Sequence, residues 1–434
     1  MLTTLATIFT TIFDREHVLE LARQFHATER LRDIHPADLE RALVECALGD
    51  EKRTIASARR RCGRISGFSP RPKSFYERFN KGLVRLIEHH LKIAINQGPA
   101  ASRMLMAHLL DQAGLADMLA IDATRFSLPS WASEVYPSTS DTRGGVKLTA
   151  IMSLLSPMIE RVIVTDARQH DRKAITLPRW LHGLLLLMDR GYCDRKLFAQ
   201  IEDRKGFFLI RFKKSHRPRI VAIRSGLDQR FIGQPFSPDL PFRGEVDLDV
   251  SFTMAGGGCR PFRLVRLVVG VEHRTDGDQE VSLLFVTNLS VEQFTVEQLA
   301  TLYRFRWEIE RLFAVAKGVG RLDHLHSGNR HVVEAFVYAT LLVVVLGLRV
   351  CAWMKRQRPG CEPSAWRVTT LVLEWLPEIA RTMGQPCEEW TLLLFERALW
   401  REGVNPNPGR PYTATQYTFE LGWQQACRPS VTAQ

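Results

Sequence analysis

Two hydrophobic periods divide the chain. Up to about residue 105 the apolar positions recur every three to four residues, as in DREHVLELARQFHATERL and HPADLERALVECAL, which predicts helices, with Asp38 as an N-cap near Pro36. From Met118 the pattern shifts to short apolar blocks. Within Met118–Pro129 a short apolar strand ending in Asp122 is predicted. Gly144–Leu155 and Glu160–Arg168 predict a hairpin. A polar helix is expected from His170 to about Leu181. Leu184 to Met188 is a continuous apolar run, which implies a strand buried on both faces, and it ends at Asp189. A helix and a further strand follow, the latter closing on Arg211 and Lys213. Between about residues 214 and 289 short β-rich segments alternate with Gly- and Asp-rich turns. Helical spacing returns in Thr301–Gly320, predicted as one amphipathic helix, and in the apolar run Ala335–Leu348. Two helices are expected in the tail from about Pro359, packed by Trp366, Trp375, Trp390 and Trp400.

Thr301–Gly320 carries a second pattern beside its apolar face. Tyr303, Arg306, Glu310 and Lys317 are 3, 4 and 7 residues apart. At about 100° per residue they lie within roughly 60° of one another around the helix. Two readings fit: a solvated stripe holding an Arg306–Glu310 pair, or a carboxylate metal ligand flanked by groups that grip phosphate. The spacing Y-x2-R-x3-E-x6-K resembles the YREK insertion-sequence group of the DDE transposases (insertion-sequence family four type). The words around Asp189 (Arg190, Gly191, Tyr192, then a helix and a strand ending at Arg211 and Lys213) resemble the same family.

Composition narrows the partners. The chain has 434 residues and a net charge of +12, which favours a polyanionic ligand. Basic residues cluster in two places. Lys52 to Arg85 holds eleven Lys/Arg against the single acid Glu77, and Arg204 to Arg230 holds nine against Asp228. In the first cluster a helix with Arg59, Arg60 and Arg61, a turn around Gly67–Pro72 and a second helix opened by Ser74 resemble a helix-turn-helix. Lys73 lies at its turn, and Phe75, Tyr76 and Phe79 supply apolar packing. A surface basic hairpin fits the same residues. The second cluster includes Lys213 and Lys214 and suits phosphate contact or a solvated rim. The eight cysteines form no C-x-x-C pair, and no Cys/His spacing suggests zinc. His324, His326 and His331 read as loop histidines. The N-terminus lacks a basic signal-peptide region, and the fourteen-residue run Ala335–Leu348 suits a buried helix better than a membrane span. A cytoplasmic protein, nucleoid-associated when bound, is expected.

The resemblance implies an α/β fold: a ribonuclease-H-like catalytic core, a mixed sheet with flanking helices. The expected divisions are a helical DNA-binding region (1–105), the core in two parts (106–213 and 290–358), a β-rich insertion between them (214–289) and a helical C-terminal region suited to dimerisation (359–434). It implies Asp122, Asp189 and Glu310 as catalytic carboxylates holding two Mg2+ ions, with Mn2+ able to substitute. Tyr303, Arg306, Lys317, Arg190, Tyr192, Arg211, Lys213, Lys214, Arg59, Arg60, Arg61 and Lys73 would contact DNA. The activity implied is cut-and-paste transposition through nicking, a hairpin intermediate and strand transfer. Its partners would be double-stranded DNA, as terminal inverted repeats and target, and a second copy of the chain. The alternatives are a ribonuclease-H-like nuclease or resolvase and a catalytically silent DNA-binding derivative.

Overall fold

Nine strands join into a single mixed sheet in the computed structural model of the chain. It describes residues 6–405 apart from 10–13, 30, 32, 48–52, 97–109, 112, 140–142, 155–157, 171–174, 176, 178–180, 255–256 and 275–276. The strands are β1 (Asp117–Leu128), β2 (Gly144–Ser153), β3 (Met158–Asp166), β4 (Leu184–Met188), β5 (Phe207–Arg211), β6 (Arg219–Ser225), β7 (Val246–Thr253), β8 (Cys259–Arg274) and β9 (Gly277–Thr287). Their spatial order is β3-β2-β1-β4-β5-β9-β8-β7-β6. The β1–β2–β3 meander is antiparallel, and β4 and β5 add in parallel to β1. This α/β arrangement agrees with a ribonuclease-H-like core. The predicted helix at His170–Leu181 falls largely outside the described residues.

Burial follows the strand period of two. On β1 and β4, Met118, Ala120, Leu185 and Leu187 enter one core, while Leu119, Ile121, Leu184, Leu186 and Met188 enter the other. The leucine run of β4 is therefore covered on both sides, as its continuous hydrophobicity implies. The segment 214–289 does not form a separate sheet. Its last strand, β9, pairs antiparallel with β5 and extends the core sheet outward.

The helices are α1 (Arg15–Gln24), α2 (Pro36–Glu45), α3 (Ile55–Ser66), α4 (Pro72–Tyr76), α5 (Lys81–Asn96), α6 (Arg195–Glu202), α7 (Val296–Arg304), α8 (Trp307–Gly318), α9 (Arg330–Gln357), α10 (Ala365–Thr382) and α11 (Glu388–Glu402). The longest, α9, is apolar enough to cross a membrane by length and composition, but 89% of its apolar window is buried inside the protein. It packs against α5 and α10 and is the central post of the larger core.

Several expectations need correction. Thr301–Gly320 is two helices, α7 and α8, broken at Phe305–Arg306. Both residues keep right-handed helical dihedrals, but their amides bond to Leu302 and Tyr303, three residues back, at 3.1 Å. This 3-10 tightening needs neither Pro nor Gly, so composition does not betray it. The second basic helix starts at Pro72 rather than Ser74, because Pro is well suited to a first helical position. It is only five residues long, too short to lie along a major groove as a recognition helix. Phe75 and Phe79 are buried there as expected, whereas Tyr76 is exposed. His35, not Asp38, caps α2, since Pro36 takes the first helical position; Asp38 pairs with Arg15 instead. Trp375 and Trp400 pack in the core, but Trp366 and Trp390 are 50% and 58% exposed.

Candidate active site

The two aspartates are brought together by strand register. The last parallel pair between β1 and β4 is Ile121 opposite Met188, and Asp122 and Asp189 are the next residue on each chain. Asp122 does not end its strand. β1 runs on to Leu128 paired with β2 alone, so the acids stand at the fork where β4 leaves β1. The alternation of faces does the rest. Asp122 shares the parity of Met118 and Ala120, and Asp189 that of Leu185 and Leu187. Both positions therefore belong to the face whose core includes Tyr303, Ile309 and Leu312.

Three side chains of α7, the tight turn and α8 meet those acids. Arg306 donates to Asp122 Oδ2 at 3.1 Å and to Glu310 Oε1 at 2.5 Å. Its guanidinium lies 5.4 Å from the centre of the Tyr303 ring. Tyr303 is 7% exposed, its ring packs on Phe285 with centroids 4.7 Å apart, and its hydroxyl is 3.5 Å from Asp189 Oδ1. Lys317 donates to the Arg125 carbonyl at 2.8 Å.

The electrostatics are those of crowded acids around one internal cation. Burial pushes the Asp122 carboxyl up to about 6; the Ala123 amide and Arg306 work against this, while Glu310 and Asp189 add to it. Burial opposes the charge of Arg306, but Tyr303, Glu310 and Asp122 together hold its pKa above the ordinary guanidinium value. Burial also raises the Tyr303 phenol and lowers the Lys317 ammonium, the latter partly offset by Asp323. Among the described residues no group of three His, Cys, Asp or Glu side chains converges as a metal site. The acids meet through Arg306 and Tyr303, not at one shared point.

The raised Asp122 has a consequence for stability. Its unfolded value is 3.8 and its folded value about 6. The group thus contributes stability that is complete below about pH 4 and is lost as the pH rises through about 6. Asp122→Asn removes that loss. In EDTA its melting temperature is expected to gain on the wild type by a few degrees between about pH 4 and pH 7. A difference that stays constant over that range in differential scanning fluorimetry would refute the placement of Asp122.

The other predicted contacts divide. Arg211 is half-buried at the end of β5 and lies near enough to Tyr303 to act on its phenol. Arg190, Lys213 and Lys214 are exposed. Tyr192 is 2% exposed and belongs to the second core, so it packs rather than presents a surface. Arg60 and Lys73 are exposed and Arg59 and Arg61 half-buried, on α3 and α4 rather than on the elements that carry the acids. Sequence reading missed Phe285, Arg125 and Arg53. The last is fully buried, donates to the Gly320 carbonyl at 2.7 Å and to Thr340, and sits over Phe336 at 5.0 Å. It ties the start of α3 to the segment just after α8. Only the alternation of β9 hinted at Phe285, and nothing local marks Arg53.

An α/β sheet whose first and fourth strands bring neighbouring aspartates to two helices and a turn bearing Tyr303, Arg306, Glu310 and Lys317 has the arrangement of a DDE-type transposase core. The family described as Transposase DDE domain matches residues 114–346, more than half of the chain and the whole of this site. The chain belongs to that family, that of DNA-cleaving transposases. It is 21% identical over 365 residues to the transposase for insertion sequence element IS231F of Bacillus thuringiensis subsp. israelensis, covering 76% of each chain. To the transposase of IS231E from subsp. finitimus it is 19% identical over 419 residues, covering 86% of each. A shorter match, 34% over 64 residues, is to the IS421 transposase of Escherichia coli, covering 15% of this chain and 17% of that one.

Proposed function

We propose that the protein moves an insertion sequence of the YREK group by cut-and-paste transposition, with Asp122, Asp189 and Glu310 as the catalytic carboxylates. The observation that carries this is the strand fork: the two residues following the last β1–β4 pair are both aspartates, and the YREK arginine bridges one of them to Glu310. The donor chemistry suits a pair of hard divalent cations, Mg2+ with Mn2+ as a substitute: all three side chains offer oxygen, and a cation, Arg306, already bridges Asp122 to Glu310. Bound there, the metal ions would activate the attacking water or 3′-hydroxyl and stabilise the leaving oxygen.

The chain's own groups perform the rest. Arg306, released from the acids, grips a non-scissile phosphate through its fork, and Lys317 adds a point charge along the same helix. Tyr303 orients Asp189 and offers its hydroxyl to a phosphate oxygen. Arg190, Arg211, Lys213 and Lys214 line the approach of the DNA, and Arg59, Arg60, Arg61 and Lys73 hold the terminal repeats. The reaction passes through end nicking, a hairpin and strand transfer within a homodimer. The test joins labelled ends of the element to a target plasmid in Mg2+. Ends joined in Mg2+ and not in EDTA support the proposal; equal joining in both overturns it.

Arg306 also makes a prediction that needs no turnover. In the DNA-free protein it competes with divalent cations for Asp122 and Glu310. Arg306→Ala should therefore bind Mn2+ about tenfold more tightly than the wild type, read by electron paramagnetic resonance of free Mn2+. Weaker binding by the variant would show that Arg306 assists the acids rather than occupying them.

A further inference from the structure

The turn between α3 and α4 is built to hold an aromatic ring in solvent. Thr54 and Ser57 close a capping box at the start of α3, and Gly67 ends it with φ at +71°, a left-handed cap that sends the chain back along the helix. The returning loop lies directly on Gly63, where an added Cβ would stand 3.2 Å from the Phe68 carbonyl oxygen. Three further bonds pin it. The Phe68 amide donates to Ser66 Oγ at 3.3 Å, Ser66 Oγ donates to the Cys62 carbonyl at 2.8 Å, and Arg59 donates to the Pro70 carbonyl at 2.9 Å. Seven residues on, Phe75 is buried in the core, so an apolar home for a ring lies close by in the chain. Phe68 is nevertheless 41% exposed.

Around that ring is a cleft of about 600 Å3 lined by Arg59, Arg60, Arg64 and Phe68, with Gly63 and Gly67 in its wall. No acidic residue lines it. Arginines supply phosphate contacts, and phosphate alone would account for them. It does not account for a phenyl ring carried out into solvent on a pinned loop, which finds no face to stack on in a paired duplex. Both features match a nucleotide whose base has left its stack, its phosphate on the arginines and its base on the ring.

We infer that this cleft seats one unstacked nucleotide of the bound DNA, with Phe68 as its stacking platform and Arg60 and Arg64 as its phosphate contacts. The inference rests on the reading of the protein as a DNA transposase. It adds a single-strand subsite to the N-terminal region, separate from the acidic cluster.

Fluorescence anisotropy with the full-length protein tests it, using a fluorescein-labelled oligo-dT and a labelled duplex of equal length. Phe68→Ala is expected to lose about tenfold in affinity for oligo-dT and less than about twofold for the duplex, while Phe68→Trp keeps both. Arg64→Ala is expected to weaken both and to lower the slope of log affinity against log salt by about one. Because Phe68 is exposed, the variants should melt with the wild type. Duplex binding with Phe68→Ala indistinguishable from the wild type on oligo-dT overturns the cleft alone. A wild-type protein that binds neither DNA overturns the transposase reading with it.

Discussion

Glu310→Gln should lower the rate of end cleavage in Mg2+ by about a thousandfold or more, with binding of the same ends changed by less than about twofold. Gln has nearly the volume of Glu and keeps one oxygen donor, so α8 should pack as before. What it loses is the charge, and with it the grip on a divalent cation that the proposed function assigns to Glu310. Cleavage and binding separate because the two depend on different atoms. The carboxylate faces the acids of β1 and β4, whereas the proposed DNA contacts are spread over basic side chains elsewhere. The measurement is a single-turnover cleavage of labelled ends beside a gel-shift titration. Cleavage within a few-fold of the wild type would remove Glu310 from the chemistry, and equal loss of cleavage and binding would make it a structural residue.

Val344→Asp should unfold the protein. Val344 is fully buried near the middle of α9, where α5 and α10 pack against it. An unpaired carboxylate there meets a desolvation penalty of several kcal/mol, comparable with the whole 5–15 kcal/mol by which domains are held together. The expected result is loss of the soluble fraction and of the cooperative melt by circular dichroism. The same substitution discriminates between two uses of an apolar helix of this length. A variant that stays soluble and melts normally would mean that this face of α9 is not the post of the core.

The parts of the fold that were legible in the chain are those where one local pattern has one solution. Four leucines before Met188 need cover on both faces, and that made β4 and the place of Asp189 readable. The helical spacing of Tyr303, Arg306 and Glu310 likewise put these three side by side, although the stretch divides into two helices. What escaped depends on partners distant in sequence. Asp122 was placed at a strand end because its apolar run stops there, yet β1 continues wherever β2 offers hydrogen bonds. The break at Phe305–Arg306 leaves no mark because both residues keep helical dihedrals and only the bonding shifts from four residues back to three. Trp366 and Trp390 were expected inside on residue type alone, and burial is decided by which side of α10 and α11 meets α9. Arg53 had no local signature at all, since its value lies in the Gly320 carbonyl hundreds of residues away.

The bridge made by Arg306 bears on the order in which the components assemble. A bare trio of carboxylates would repel an incoming phosphodiester until counter-ions arrived. Here one guanidinium already pairs with two of the carboxylates and lowers their net charge by one, so on the proposed function the backbone of a nucleic acid settles first. On that proposal an arriving phosphate draws the same guanidinium toward itself and frees the acids for metal, so nucleic acid primes the site before the ions enter it.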